Sequence, residues 1–564
     1  MLEPDGLVVG GERVPFRRLA AAGGVELETR LADDPPGLRL EVTLRNPGRA
    51  EVVPGRVGMV VPASLAQVLE HGWQSWSVVR RCSPTDRRPE RASSPGLVKR
   101  MHLADPDSAG ETVNGDQFLL WDAGVAGFLA GGRHLSTVEA RPDGLVAWAL
   151  LDSTAIAPGA ELQLDPLWIS GGEPGPLYSA YAERWGATGQ ARPAATAPTG
   201  WCSWYHYFDR VTPRDVDDNT RLASSHRLGM VQIDDGWQAA IGDWTRAAPG
   251  WPGGTAAAAG RIRARGLTPG LWTAPFLVAE NSAVAGRHPD WLVRRPDGLP
   301  VRSAYNPQWG GWAHALDTTH PGALDYLRST FTALRAEGFD YHKIDFCYAA
   351  AAPGLRHDGS ATRAGALRLG LQAVRDGIGD DAFLLGCGCP FGPAVGVVDA
   401  MRVSADVAPT WASEHRLAGF DETLPSLRNA LAATLLRAPL HRRLWANDPD
   451  CLMLRPTQTG LEPWQRRLQA AVVAGTGGFA IVSDDLALLG DDEWETLEMV
   501  VSAGSDQPLD IEDPFADPLR ITGRSTALVA SADAGGQLPP GGGRTVLEAS
   551  GPGGAARLVE LDRA

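Results

Sequence analysis

The pattern of apolar and polar positions changes character twice along this chain. Up to about residue 185 apolar residues come in short runs, as in Leu38-Arg39-Leu40-Glu41-Val42-Thr43-Leu44 and Phe118-Leu119-Leu120-Trp121. Turn-forming clusters such as Asp33-Asp34-Pro35-Pro36-Gly37 and Arg141-Pro142-Asp143-Gly144 separate them. That rhythm predicts an N-terminal β-sandwich domain over 1–185. A helix-like run over 177–184 and a Pro/Ala/Thr-rich stretch at 193–199 read as a connector.

From Gly200 onward, continuous apolar runs alternate with helical stretches. Eight runs predict buried parallel strands, at 200–205, 229–234, 269–274, 341–346, 382–387, 400–404, 443–447 and 478–483. Helical patterns over 324–337, 364–376 and 464–474 lie between them. Eight strand–helix units predict a central (β/α)8 TIM barrel over 186–505. The connection near 390–399 has room only for a small helix. The segment 275–319 is long, carries Trp291, Trp309 and Trp312, and is expected to form a lid. The pattern returns to short strands over 506–564, around 521–525 and 545–549 with a Gly/Pro-rich loop near 535–544. This predicts a small C-terminal antiparallel β domain. The fold class is therefore multidomain, α/β in the centre and β at both ends.

Composition narrows the partners. The chain has 564 residues and a formal net charge of -15, which disfavours nucleic acid and anionic membrane surfaces and suits a neutral substrate. Nineteen tryptophans supply faces for stacking on sugar rings. The six cysteines fall mostly in apolar runs, and Cys387-Gly388-Cys389 lacks a second pair at zinc spacing, so no metal is expected. Met1-Leu2-Glu3-Pro4-Asp5 has neither the basic nor the apolar region of a signal peptide, and no apolar run is long enough to span a bilayer. The expected location is cytoplasmic. The sequence sets no oligomeric state.

Polar residues recur where barrel chemistry collects, at the C-terminal ends of the strands. The second run ends in Asp234-Asp235-Gly236-Trp237, the third offers Trp272, and the fourth Lys343-Ile344-Asp345. The fifth ends at Cys387-Gly388, the sixth at Arg402-Val403-Ser404-Ala405-Asp406, and the seventh at Asn447-Asp448-Pro449-Asp450. Lys343 and Asp345, two apart on a strand, are expected to share a face, the ammonium keeping the carboxylate ionised. Each motif has a bland alternative: an ion pair, a turn, a helix cap. Buried carboxylates at successive strand ends are hard to explain by packing. Neither clustered metal ligands nor a phosphate loop is evident, whereas two carboxyl groups amid hydrogen-bonding residues suit glycoside hydrolysis.

Trp201-Cys202-Ser203-Trp204-Tyr205, Gln232-Ile233-Asp234-Asp235-Gly236-Trp237-Gln238, Lys343-Ile344-Asp345, Arg402–Pro409 and Trp445–Asp450 resemble, in order, the barrel motifs of melibiase-like α-galactosidases, glycoside hydrolase family 36. Gly72-Trp73-Gln74-Ser75-Trp76-Ser77 resembles that family's N-terminal domain. The resemblance implies a retaining double displacement without cofactor, Asp345 the nucleophile and Asp406 the acid/base, with carboxyl groups about 5–5.5 Å apart. It further implies that Asp234 and Asp235 grip O4 and O6 of a terminal galactose, and that Trp272 and Trp204 line the site. By the same resemblance Lys343 bonds ring hydroxyls, Arg402 sits near the acid/base, Cys387 and Gly388 flank the 2-position, and the Trp73–Trp76 loop closes the pocket. An anionic Asp345 is expected to raise the pKa of Asp406. An α-N-acetylgalactosaminidase, an α-glucosidase, a galactosyl transferase, a non-catalytic sugar binder and a lysine-dependent isomerase remain alternatives.

Overall fold

The computed structural model describes residues 6–561 except 10–11, 16, 20–24, 106–111, 194–195, 227, 418, 504–506, 518, 524–526, 531–544 and 551–555. Residues 1–5 and the Gly/Pro-rich loop near 535–544 lie outside the described residues.

All eight expected parallel strands form. They are β1 (Thr199–Cys202), β2 (Met230–Ile233), β3 (Thr268–Thr273), β4 (Tyr341–Ile344), β5 (Phe383–Gly386), β6 (Ala400–Arg402), β7 (Ala446–Asp448) and β8 (Ala480–Val482). The order β7-β6-β5-β4-β3-β2-β1-β8 follows the chain around. The segment that follows β7 reaches β8 through an isolated parallel bridge, Leu452 to Val482. Leu452 donates to Ile481 O at 2.7 Å and accepts from Ser483 N at 2.9 Å. β7 lies later than the expected 443–447 and so brings Asp448 into the sheet. The register sets Trp272 beside Lys343 and Arg402 beside Asp448. Parallel pairing thereby levels the functional ends of neighbouring strands.

The expected helices form as Pro321–Glu337, Arg363–Ile378 and Pro463–Thr476. Thr362 caps the second, accepting from Gly365 N, and Gly477 ends the third in a left-handed conformation. Between β5 and β6 only the four-residue helix Phe391–Ala394 fits. The long segment after β3 folds as a three-stranded antiparallel sheet of Leu277–Ala279, Gly311–Ala315 and Arg302–Asn306.

The N-terminal region is β-rich, but in place of two packed sheets it forms one network of 13 strands beside a separate hairpin of Gly6–Val9 and Glu12–Pro15. Gly37–Arg45 lies near one end of that network and Arg56–Val61 near the other. Their inward residues Leu40, Val42, Val57 and Met59 nevertheless share one apolar core, so the sheet bends over itself. The helix Pro174–Thr188 then joins this layer to the barrel. Tyr181 Oη donates to Phe128 O at 2.6 Å, and the Trp185 ring meets Trp445 edge-on at 6.3 Å. At the other end, Asp510–Ile511, Leu519–Thr522 and Ala527–Ala530 pair antiparallel, as do Thr545–Ser550 and Ala556–Leu561. Among the described residues, no helix is long and apolar enough to cross a membrane.

The N-terminal layer docks where the barrel strands end. Phe391 N donates to Trp73 O at 2.9 Å and Gly388 N to Ser75 Oγ at 3.0 Å. The buried guanidinium of Arg437 donates to Ser75 O and Val403 O at 2.9 and 2.8 Å.

Candidate active site

A cavity of about 270 Å³ sits over the C-terminal ends of the strands. Trp204, Asp234, Asp235, Trp272, Lys343, Asp345 and Asp406 all line it, together with Tyr205 and Phe346. The strand ends thus bring together most of the residues expected from sequence.

Lys343 has a second acid as its direct partner. Its ammonium lies 3.0 Å from Asp234 Oδ2, across the sheet from its own strand, and not on Asp345. A lysine side chain is long enough to lean from β4 past β3 to the end of β2. Burial works against the ammonium, yet the Asp234 charge, with Cys387 and Asp345 behind it, holds the Lys343 pKa well above its ordinary value. Asp234 is fixed further by Gln232 Nε2 at 2.5 Å. Its backbone N–H donates to Ser203 Oγ at 2.9 Å.

Asp345 follows directly on β4. Trp272 Nε1 donates to its Oδ2 at 3.0 Å and Phe346 N to its Oδ1 at 2.7 Å. Phe346 adopts a left-handed φ of 52°, which turns the chain sharply at this point. Burial pushes the Asp345 carboxyl above the usual carboxylate range. Lys343, the Trp272 N–H and the Cys387 thiol oppose the shift, while the Asp406 charge adds to it. Lys343 therefore supports the ionised form at a distance, and the hydrogen bonds come from other groups.

Asp406 is half-buried and its Oδ1 accepts from Arg402 Nη1 at 2.8 Å. The same fully buried guanidinium reaches Asp450 at 2.7 Å and Asp448 at 3.4 Å. Tyr205 Oη donates to Asp450 as well. Burial raises the Asp406 pKa against the pull of Arg402, and the like charge acting most strongly on it is Asp450. The expected role of Asp345 in that shift thus passes mainly to a residue beyond the end of β7. Arg402 itself does not line the cavity: it is the buried post that holds the acid.

Asp235 sits on a turn that Gly236 makes possible, with φ of 117° and the Asp209 backbone where a Cβ would stand. Trp309 Nε1 donates to its Oδ2 at 2.9 Å and Gln238 Nε2 to its Oδ1 at 2.5 Å. Burial lifts the Asp235 pKa to about 6 in spite of both donors. Trp309 comes from the expected lid, so that segment reaches the cavity.

Cys387 and Gly388 stand behind the wall. Cys387 is fully buried, and its thiol helps to hold down the pKa of Asp345. A Cβ on Gly388, at φ 50°, would meet the Trp76 ring at 2.8 Å. Trp76 lines the cavity. Trp73 does not; it borders a smaller hollow with Arg100 and Tyr348. Sequence reasoning missed the roles of Tyr205, Asp450, Gln238 and Trp309, and the contribution of Val98 and Met101 from the helix Gly96–His102. For Asp450 the signal was present, as the second acid of Asp448-Pro449-Asp450.

The site holds six carboxyl groups (Asp234, Asp235, Asp345, Asp406, Asp448, Asp450) against the two cations Lys343 and Arg402. Such a pocket repels anions and offers many acceptors to hydroxyl groups. Among the described residues, no cluster of His, Cys, Asp or Glu is arranged to hold a metal ion.

A family model described as Melibiase matches residues 197–378, which include Asp234, Asp235, Trp272, Lys343 and Asp345 but not Asp406. An α-galactosidase of Escherichia coli is 29% identical over 151 residues, 26% of this chain and 20% of that protein. The match to a bifunctional α-galactosidase/sucrose kinase of Mediterraneibacter gnavus is 33% identical over 104 residues, 17% of this chain and 11% of that protein. The matched stretches thus span a fifth or less of these two curated relatives. Among solved structures, the α-galactosidase TtGalA of Thermus thermophilus in complex with stachyose is 30% identical. The alignment covers 86% of this chain and 99% of TtGalA, with a TM-score of 0.68. The α-galactosidase AgaA of Geobacillus stearothermophilus shares the fold at 15% identity and a TM-score of 0.63, over 96% of this chain and 79% of AgaA. The chain belongs to the melibiase-like α-galactosidases, glycoside hydrolase family 36.

Proposed function

We propose that this chain is an exo-acting, retaining α-galactosidase. It removes terminal α-galactosyl residues from oligosaccharides of the melibiose and raffinose type by double displacement. The observation that carries the reading is the different anchoring of two carboxyl groups in one cavity. Asp345 is held by the N–H groups of Trp272 and Phe346, and half-buried Asp406 is held on Arg402.

In this mechanism Asp345 attacks the anomeric carbon while Asp406 gives its proton to the departing oxygen. The covalent glycosyl-enzyme no longer carries the Asp345 charge. Asp406 then takes a proton from water, which attacks the anomeric carbon and releases Asp345. The electrostatic link between the two carboxyls supports the alternation. Asp234, Asp235 and Lys343 receive galactose hydroxyls, with Trp272 and Trp204 on the ring faces and Trp76 as a wall from the N-terminal region. Cys387 supports Asp345 from behind, with Gly388 leaving room for Trp76. The reading divides the chain into an N-terminal β domain (1–185), a catalytic (β/α)8 barrel (186–505) and a C-terminal β domain (506–564).

The test is hydrolysis of p-nitrophenyl α-galactoside and melibiose by Asp345→Asn and Asp406→Asn, with proton NMR of the first-formed galactose anomer. Asp345→Asn is expected to lose nearly all activity on both substrates. Asp406→Asn is expected to lose about 10²–10⁴-fold on melibiose and much less in kcat/KM, which reads the glycosylation step, on the activated aryl substrate. Substantial activity in Asp345→Asn, or first-formed β-galactose from wild type, refutes the mechanism.

A further inference from the structure

One side of the cavity has a chemistry that galactose recognition leaves unused. Ser426 N donates to the backbone O of Asp406 at 3.0 Å, tying the Leu424–Pro425 segment to the residue proposed as general acid, and all three line the cavity. A general acid stands over the leaving-group oxygen, so the departing group exits past these residues. Leu417, Leu424 and Pro425 line the cavity here, and Val98 and Met101 line it from the helix Gly96–His102 of the N-terminal region.

The two walls are locked together. The His102 ring stacks on Phe420, centroids 5.0 Å apart. Arg91 donates to Gly419 O at 2.8 Å and to Glu70 at 3.0 Å, and Arg88 pairs with Glu422 at 2.7 Å. On the inner side, Gln74 Nε2 and Ser77 Oγ hold the carbonyls of Met101 and His102 at 2.5 and 2.9 Å. The chamber is therefore built before any ligand arrives.

Its polar groups are few. Thr423 Oγ1 donates to Phe420 O at 2.7 Å and lies 3.5 Å from His102 Nε2. Burial first, then Arg91, lowers the His102 pKa to about 3, so the ring is neutral. Asn306, the remaining polar residue of the outer cavity, belongs to the lid strand that leads to Trp309. A sugar leaving group would bury most of its hydroxyls against Val98, Met101, Leu417 and Leu424, where partners are few, which is unfavourable.

We propose that the leaving-group half of the cavity is an apolar subsite that takes an alkyl or aryl aglycone in preference to a second sugar. The proposal rests on the α-galactosidase reading above and revises its leaving group: alkyl and aryl α-galactosides become better substrates than melibiose-type oligosaccharides. Unlike aryl groups, simple alkyl groups have almost constant leaving ability, so a chain-length series isolates binding from chemical activation.

The experiment measures kcat/KM for methyl, ethyl, propyl and butyl α-galactosides and for melibiose, on wild type, Met101→Gln and Leu424→Asn. Fully burying one methylene is worth up to about fourfold. The expected result is a rise of about two- to fourfold per methylene, with butyl α-galactoside exceeding melibiose. Each variant is expected to flatten the rise. The butyl-to-methyl ratio within one protein cancels any loss of folded fraction. A flat or falling series in a wild type that hydrolyses methyl α-galactoside overturns the subsite and leaves the α-galactosidase reading standing. Silence on every α-galactoside, including the p-nitrophenyl substrate, overturns both.

Discussion

Replacing Lys343 with methionine tests whether the lysine serves Asp234 or the proposed nucleophile. The pair lies 3.0 Å apart, with Lys343 only 5% exposed and Asp234 2%. Removing one member of a buried ion pair strands the other charge and costs about 3–5 kcal/mol. Gln232 still donates to Asp234, so Lys343→Met is expected near the lower end, about 3 kcal/mol. Lys343→Met combined with Asp234→Asn removes both charges and is expected to cost only about 1–2 kcal/mol; with Asp234→Asn alone also expected at about 3 kcal/mol, the coupling is well above roughly 2 kcal/mol. The parallel cycle with Asp345→Asn is expected to couple by less than about 1 kcal/mol, because no hydrogen bond joins that pair. Urea unfolding followed by tryptophan fluorescence reads both cycles. The Lys343 pKa is raised on folding, so its contribution is fully present below the unfolded value of about 10.4 and lost as pH rises through the folded value. Measurements at pH 7 and 8 should therefore agree. Stronger coupling to Asp345 than to Asp234, or none to either, refutes the assignment.

Two further perturbations probe the walls of the site. Trp309→Phe removes a donor that opposes the burial-driven rise of the Asp235 pKa to about 6. Galactose affinity, titrated calorimetrically from pH 5 to 8, is expected to fall away at a higher pH in the variant than in wild type. An unmoved acid limb would show that Asp235 is not the titrating group. Gly388→Ala adds a Cβ 2.8 Å from the Trp76 ring at a φ of 50°, and is expected to cost about 1–3 kcal/mol and to raise KM by displacing Trp76. Unchanged KM together with an unchanged urea midpoint would show that Trp76 does not rest on this glycine.

The chain alone determined the barrel and its strand ends. Parallel strands are covered on both faces, so they read as continuous apolar runs, and the first polar residue after each run is fixed at the rim by period and register. That is why Asp234, Trp272, Lys343, Asp345 and Asp406 were legible as members of one site. Tertiary structure decided how they are wired. Lys343 shares a strand face with Asp345 but bonds Asp234, because a long side chain reaches across two neighbouring strands. Asp450 lies beyond β7 in a left-handed turn, φ 75°, and only folding closes it onto Arg402 and Tyr205. The N-terminal strands alternate alike in two sheets or one, since alternation records which face is buried and not where hydrogen bonding is continuous. The apolar chamber joins Val98 and Met101 to Leu417 and Leu424 from segments more than 300 residues apart, and no local pattern marks a contact made at that separation.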